Sequence, residues 1–283
     1  MRDEVTANLH LWEGWAEIHL GGDFYDVEGF IEHPEMRPFD RVTRGVVGDV
    51  SGARVLHLQC HVGIDTLRFL LMGSREVVGV DFSPRALEGA RMIAERMGFS
   101  DRARFVQSDV TALPDSVEPD SFDIVFSSYG AIEWLPDLEP WADMIASRLA
   151  PGGVFHLIDS HPFAAIFDDE DPDRRLTVKY RYFGGKANHW PVQGSYADPD
   201  ADFTADSYFW IHPLSEIVSV LAARGLVIES LREYPLVAWQ ALDFMVEAGE
   251  GLWELPPEIG DIPLMFSVSA RKPADGAGGL GAH

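Results

Sequence analysis

Residues 53–70, ARVLHLQCHVGIDTLRFL, followed by residues 75–87, REVVGVDFSPRAL, decide the reading of this chain. Val55 to Leu58 is a short apolar run of strand length, and a tight turn follows it. Ile64, Leu67, Phe69 and Leu70 then recur at helical spacing, and a second apolar run ends in Asp81. Strand, turn, helix and strand in this order make the first half of a nucleoside-binding unit in a doubly wound sheet. Asp81 comes about 20 residues after the turn, the separation at which a carboxylate meets ribose hydroxyls. A carboxylate suits that task because it accepts from two neighbouring hydroxyls at once.

The turn departs from the usual glycine-rich form: of the three glycines that commonly stand there, Gly63 alone is kept, and Gln59 and His61 replace the others. Their side chains crowd a pyrophosphate, which needs close backbone approach, and so disfavour a dinucleotide and its oxidoreductase chemistry. They obstruct far less a nucleoside without phosphate. S-adenosylmethionine, which carries a sulfonium and an amino-acid tail, is such a ligand.

Residues 105–110, FVQSDV, end a further strand in Asp109, and residues 122–128, FDIVFSS, run into Tyr129. Residues 149–155, LAPGGVF, read as a helix end, a Pro-Gly-Gly turn and a strand start. As a set, over residues 46–159, these motifs resemble class I S-adenosylmethionine-dependent methyltransferases. The resemblance implies an α/β fold, a Rossmann-like seven-stranded sheet with its last strand antiparallel. It implies that Asp81 holds the ribose and that Asp109, with the amide of Val110, holds the adenine. Gln59, His61, Gly63, Phe82 and Tyr129 complete the expected cofactor site.

With 283 residues, 46% of them hydrophobic, the chain can bury a sizeable core. No apolar run approaches the ~18 residues of a membrane span, and the N-terminus lacks the layout of a signal peptide. Cys60 is the single cysteine, so no internal disulfide forms, and a cytoplasmic location is expected. Its plain reading is a small core residue. The net charge of −24 disfavours nucleic acid and anionic membranes as partners. A small anionic substrate would need local arginines or a metal ion to offset that field. Homo-oligomerisation stays open.

Residues 1–45 read as an N-terminal lid, 46–273 as the catalytic domain and the glycine-rich 274–283 as a disordered tail. Ser83-Pro84 opens a helix over 85–97, and His212-Pro213 opens another that runs to Arg224. Strands six and seven are expected over 226–233 and 262–271. Two insertions, 160–211 and 235–261, are aromatic-rich and leave or return near the ligand-binding edge of the sheet, where such segments cover substrate.

Methyl transfer to oxygen or nitrogen is helped by a general base, for which His161, His189 and His212 are candidates, although each also reads as a structural histidine. Methyl transfer to an alkene carbon leaves a carbocation, which needs aromatic faces and then a carboxylate to remove a proton. The first insertion offers both ingredients: its aromatics, and the acids Asp168, Asp169, Glu170, Asp171 and Asp173. Crowding would raise carboxylate pKa values there and improve a base, and the plain alternative is a solvated acidic loop.

Four features are shared with a group of bacterial natural-product methyltransferases. They are HLQCH at 57–61, WLPDL at 134–138, His161-Pro162 with the acidic run behind it, and Trp210 ahead of His212. Within that group the chain resembles geranyl pyrophosphate C6-methyltransferases of the benzastatin type. This resemblance implies Glu170 as the base that deprotonates the methylated cation, Trp210 as an aromatic wall of the prenyl pocket, and Mg²⁺ on a prenyl diphosphate substrate. Tyr180, Tyr182, His161 and Arg181 are further substrate-side candidates, and no metal ligands are selected. The alternatives are an O- or N-methyltransferase with a histidine base and a non-catalytic cofactor-binding subunit.

Overall fold

The computed structural model describes residues 2–169, 171 and 173–274, so Glu170 and all but the first residue of the expected tail lie outside the described residues. Three helices precede the sheet: α1 (Asp3–Gly21), α2 (Val27–Glu32) and α3 (Arg41–Val47). Asp40 caps α3, its Oδ1 accepting from the backbone N–H of Val42 at 2.8 Å and of Thr43 at 3.1 Å. The expected unit follows as β1 (Arg54–Leu58), α4 (Ile64–Leu71), β2 (Glu76–Asp81) and α5 (Pro84–Arg96). Ser83 caps α5 by accepting from the Ala86 N–H at 3.0 Å, with Pro84 at the first helical position as its chemistry favours.

The chain continues through β3 (Ala103–Gln107), β4 (Phe122–Ser128), α6 (Leu138–Arg148) and β5 (Leu149–Ser160). The first insertion contains a hairpin, β6 (Asn188–Gln193) and β7 (Thr204–Phe209). Then come α7 (Leu214–Ala223) and β8 (Val227–Tyr234). The second insertion forms a separate three-stranded sheet from β9 (Leu236–Val237), β10 (Val246–Gly249) and β11 (Leu252–Glu254), before β12 (Met265–Arg271) closes the main sheet.

The main sheet has the order β3-β2-β1-β4-β5-β12-β8, with β12 antiparallel to both β5 and β8. This is the seven-stranded arrangement expected, and β12 starts at Met265, later than the sequence pattern suggested. Strands buried on both faces read as continuous apolar runs, and Val55, Leu56 and Leu58 are all fully buried. One face packs Phe69, Leu87 and Phe126 with α4 and α5, and the other packs Val78, Trp141 and Phe155 with α6 and α7. Because β1 lies between β2 and β4, the winding reverses beside it, and the crevice at the strand ends opens there.

Helix α1 is fastened to the first insertion. Asn8 Nδ2 donates to the Tyr208 carbonyl at 2.7 Å, the Tyr208 N–H donates back to Asn8 Oδ1 at 2.8 Å, and Trp15 Nε1 donates to the Gly194 carbonyl at 2.8 Å. No described helix is long and apolar enough to cross a membrane.

Gly63 joins the turn to α4 at φ +78°, and a Cβ there would lie 2.7 Å from Ala90 Cβ and 2.9 Å from the Phe105 ring. Gly63→Ala therefore combines a left-handed backbone with an overpacked contact and should cost ~1–3 kcal/mol in denaturant unfolding. Gly98→Ala, at φ +73° with no neighbour within 4 Å, carries the backbone strain alone and should cost less.

Candidate functional site

Three residues of the β1–α4 turn have positive φ: Gln59 at +56°, His61 at +49° and Gly63 at +78°. The turn thus keeps a conformation suited to glycine while carrying two side chains, at about 1–3 kcal/mol each. Specific contacts hold it. Asp81 Oδ2 accepts from the His61 N–H at 2.8 Å and Oδ1 from the Ser83 N–H at 2.9 Å. Gln59 Nε2 donates to the Ala131 carbonyl at 2.6 Å. His61 Nε2 lies 3.2 Å from His19 Nδ1 on α1, and its ring stands edge-on to Trp12 at 5.3 Å. Burial pushes His61 down to about 3 and His19 down to about 2, so both are neutral at physiological pH. Cys60 is buried with its thiol pushed up, as a core residue rather than a reactive one.

A cavity of about 1140 Å³ opens beside this turn. That exceeds the ~300–1,000 Å³ of a typical single-ligand pocket and leaves room for a cofactor and a substrate together. Every residue expected around the cofactor, from Gln59 to Tyr129, lines it. Burial pushes the Asp81 carboxyl up to about 6 against the opposing pull of the Ser83 and His61 amides. Asp109 Oδ1 is held by the Thr111 N–H at 2.8 Å and its hydroxyl at 2.7 Å. Tyr129 donates to Asp40, which ties the end of β4 to the start of α3.

The far end of the cavity is aromatic and aliphatic. Phe167, Tyr180 and Phe209 come from the first insertion, and Trp239, Leu242 and Met245 from the second. Tyr180 and Phe209 meet edge to face at 5.1 Å. Of the expected substrate-side residues Tyr180 reaches the cavity, while Trp210, Tyr182, His161 and Arg181 are not among its described lining. Trp210 follows wall residue Phe209, is 3% exposed, and sends its N–H to the Glu133 carbonyl at 2.8 Å. The Tyr182 hydroxyl accepts from the Leu214 N–H at the start of α7. His161 is engaged by Glu233 at 2.9 Å, and Arg181 is exposed.

His189 pairs with Asp206 on the hairpin surface, and His212 donates to the Leu135 carbonyl at 2.8 Å. None of the three candidate histidine bases lines the cavity. In the acidic run, Asp169 lines the cavity and Asp168 pairs with Lys179 at 2.8 Å. Crowding does not raise Asp171 as expected. The Thr177 hydroxyl and the Asp173 amide hold its carboxyl below the usual range, because hydrogen bonds to the charged form outweigh desolvation there. Glu170 itself lies outside the described residues.

Glu133 is the site residue that sequence reasoning passed over. It lines the cavity just beyond Gly130 and Ala131, and burial, reinforced by Asp159, pushes its carboxyl up to about 8. An acid set between Ile132 and Trp134 is the signal that could have found it. Asp159 is also raised by burial, and it accepts from the amides of Gly130, Ala131, Ile132 and Ser160. No group of three His, Cys, Asp or Glu placed to hold a metal ion occurs among the described residues.

Residues 49–184 match a family described as a methyltransferase domain. The large-subunit ribosomal RNA methyltransferase K/L of Pseudomonas fluorescens is 30% identical over 185 residues, covering 59% of this chain and 23% of that protein. The chain thus spans about a quarter of that relative. A solved S-adenosylmethionine-dependent methyltransferase from Mesorhizobium loti superposes with a TM-score of 0.56 at 21% identity, covering 87% of this chain and 99% of that one. A geranyl diphosphate C-methyltransferase from Streptomyces coelicolor superposes with a TM-score of 0.51 at 11% identity, covering 81% and 75%. Residues 49–184 are thus similar to a methyltransferase domain, and the fold is the one seen in solved S-adenosylmethionine-dependent methyltransferases.

If Asp81 is the ribose acceptor, as expected, Asp81→Ala should weaken S-adenosylhomocysteine binding by ~1.5–3 kcal/mol in calorimetry, the range for losing a charged hydrogen-bond partner. In the unaltered protein the ionised carboxylate is the better acceptor. Affinity should therefore rise as the pH climbs through about 6 and level off above it. A flat profile from pH 5 to 8 would place the ribose elsewhere.

Proposed function

We propose that this chain uses S-adenosylmethionine to methylate an alkene carbon of a prenyl diphosphate, with C6 of geranyl pyrophosphate the favoured position. The observation that carries this reading is one continuous cavity. It runs from the acids Asp81 and Asp109 to a chamber walled by Phe167, Tyr180, Phe209 and Trp239, beside the acidic run. When bound, the cofactor supplies an electrophilic methyl group and leaves as a neutral thioether.

The alkene π pair forms the new carbon–carbon bond as the carbon–sulfur bond breaks, which leaves a carbocation on the substrate. The aromatic walls stabilise that charge, by about 2 kcal/mol or more where water is excluded, and keep water from capturing it. Glu170 then takes the neighbouring proton, and the released C–H pair restores the double bond. Asp168 pairs with Lys179 and Asp171 with Thr177, and the proton-accepting role is given to Glu170 on the resemblance alone.

The net charge of −24 supports a small substrate over RNA. It also supports Mg²⁺ arriving with the diphosphate as its counter-ion, where it would offset the charge of the substrate against the acid field. The O- or N-methyltransferase reading is weakened because His161, His189 and His212 stand away from the cavity.

Product analysis with methyl-labelled cofactor and a panel of prenyl diphosphates tests this reading. Geranyl diphosphate should be methylated in the presence of Mg²⁺, and excess chelator should abolish turnover while S-adenosylhomocysteine binding persists. Full turnover in chelator would point to a neutral acceptor. Glu170→Gln should lower product formation by a factor of ~10² or more with both ligands still bound. Trp210→Ala, which removes a buried indole next to Phe209, should slow the geranyl substrate and improve tolerance of farnesyl diphosphate. An unchanged chain-length preference with a lowered melting temperature would make Trp210 a packing residue only.

A further inference from the structure

The cavity has two ends whose roles follow from their chemistry, an adenosine end at Asp81 and Asp109 and an apolar end at Tyr180 and Trp239. The sulfonium of a bound cofactor must lie between them, along the wall formed by the residues after β4. Gln59 bonds to the Ala131 carbonyl and closes this wall against the cofactor turn. Glu133 stands in it, and its Oε1 lies 3.2 Å from where a Cβ on Gly130 would be, so the carboxyl folds back over the Gly130 backbone. Among the described residues, no side-chain hydrogen bond or ion pair engages that carboxyl. Its neighbour Asp159 has four backbone N–H groups to balance its charge. Around the same wall, Gln59 Oε1, Trp134 Nε1 and Ser160 Oγ are buried without hydrogen-bond partners. The fold therefore places an uncompensated acid where the cofactor's only fixed cationic sulfur would sit.

We propose that Glu133 is the counter-charge of the cofactor sulfonium, and that it makes the site prefer the charged, methyl-bearing cofactor to its neutral demethylated product. The proposal rests on the reading that S-adenosylmethionine binds this cavity. It requires nothing of the methyl acceptor. The adenine, ribose and amino-acid tail are common to both forms, so Asp81 and Asp109 cannot discriminate between them. Only a group facing the sulfur can.

The titratable groups sharing the wall are Asp159 from β5, Tyr129 with Asp40, and Asp81 and His61 from the two turns. Of these, Asp159 is the one whose charge acts on Glu133. With its carboxyl at about 8, Glu133 is mostly protonated at pH 7 in the free protein. A sulfonium beside it lowers that value and expels the proton, whereas a thioether does not. Ionisation of Asp81 on ribose binding is the same for both ligands and cancels in the difference between them.

Calorimetry on the full chain with S-adenosylmethionine, S-adenosylhomocysteine and sinefungin, which carries an amine in place of the methylsulfonium, tests this. If the charge lowers the Glu133 pKa by about two units, the charged ligands should bind about tenfold more tightly than S-adenosylhomocysteine at pH 7. Measured in two buffers of different ionisation enthalpy, they should release close to one more proton than it does. Glu133→Gln should keep S-adenosylhomocysteine affinity, bring the ratio to within about twofold and remove the extra proton. An unchanged ratio in that variant, with S-adenosylhomocysteine still bound, overturns the proposal while leaving the cofactor reading intact. Failure of the unaltered protein to bind any of the three overturns the cofactor reading and the proposal together. Should Glu133→Gln fail to fold, Glu133→Asp carries the test: its shorter side chain withdraws the charge and should give an intermediate ratio, and an undiminished one overturns the proposal.

Discussion

Asp81 spends one carboxylate oxygen on the His61 amide and the other on the Ser83 amide, which fixes the β1–α4 and β2–α5 turns against each other. Most of the site depends on that bridge. Gln59 and His61 hold left-handed backbone conformations that nothing local would stabilise, and the carboxylate supplies a charge-assisted anchor at the second of them. The same burial that makes the bridge rigid pushes the acid up to about 6. A carboxylate has about four lone-pair sites, and two remain for ribose hydroxyls once the amides are served. One side chain thus positions the turn and keeps acceptor capacity for the nucleoside it is expected to receive.

Buried acids gather at the cavity: Asp81 and Glu133 line it and Asp159 acts on Glu133, all three raised by desolvation. Asp159 answers its charge with backbone amides at the start of the turn after β4, a device that shapes the wall and costs no side-chain freedom. Among the described residues Glu133 has no such answer. A site poised this way favours cationic occupants, and carbon methylation, as proposed, would present two in succession, the sulfonium and then the carbocation. The aromatic chamber continues the same logic at shorter range, since ring faces attract a cation without the proton chemistry of a carboxylate.

The sheet was legible because parallel strands covered on both faces are largely apolar, as 55–58, 77–80 and 124–126 are. The cap of α5 was legible because Ser83-Pro84 has few other uses. The residues expected at the cofactor end do line one cavity, because acids at strand ends have fixed positions in such a sheet. The substrate end was not so legible. Which of Phe209 and Trp210 faces the cavity is set by how the hairpin docks on α1, through Asn8, and on the residue 133 carbonyl, and these are contacts between segments far apart in sequence. The small sheet of β9, β10 and β11 was hidden for a related reason: its strands have two to four residues, too few to show a period. Glu133 was missed because its character comes from burial and from Asp159, neither of which a linear pattern displays.

The missing glycines of the cofactor turn find their reason in what the replacing side chains touch. Gln59 reaches across to the Ala131 carbonyl and fixes the wall that carries Glu133. His61 meets His19, Trp12 and Tyr25 and so joins the turn to the N-terminal segment. His19 in turn reaches Ser195 at 2.6 Å, and the Tyr25 and Tyr196 hydroxyls meet at 2.5 Å, so the first insertion is drawn into the same cluster. Glycine at either position would relieve the backbone strain and cut one of these links. A turn that holds a pyrophosphate cannot make that exchange, because side chains would occupy the space the phosphates need. A turn that holds only a nucleoside can, and here it uses the freed space to tie α1 and the substrate-side insertion to the cofactor end of the cavity.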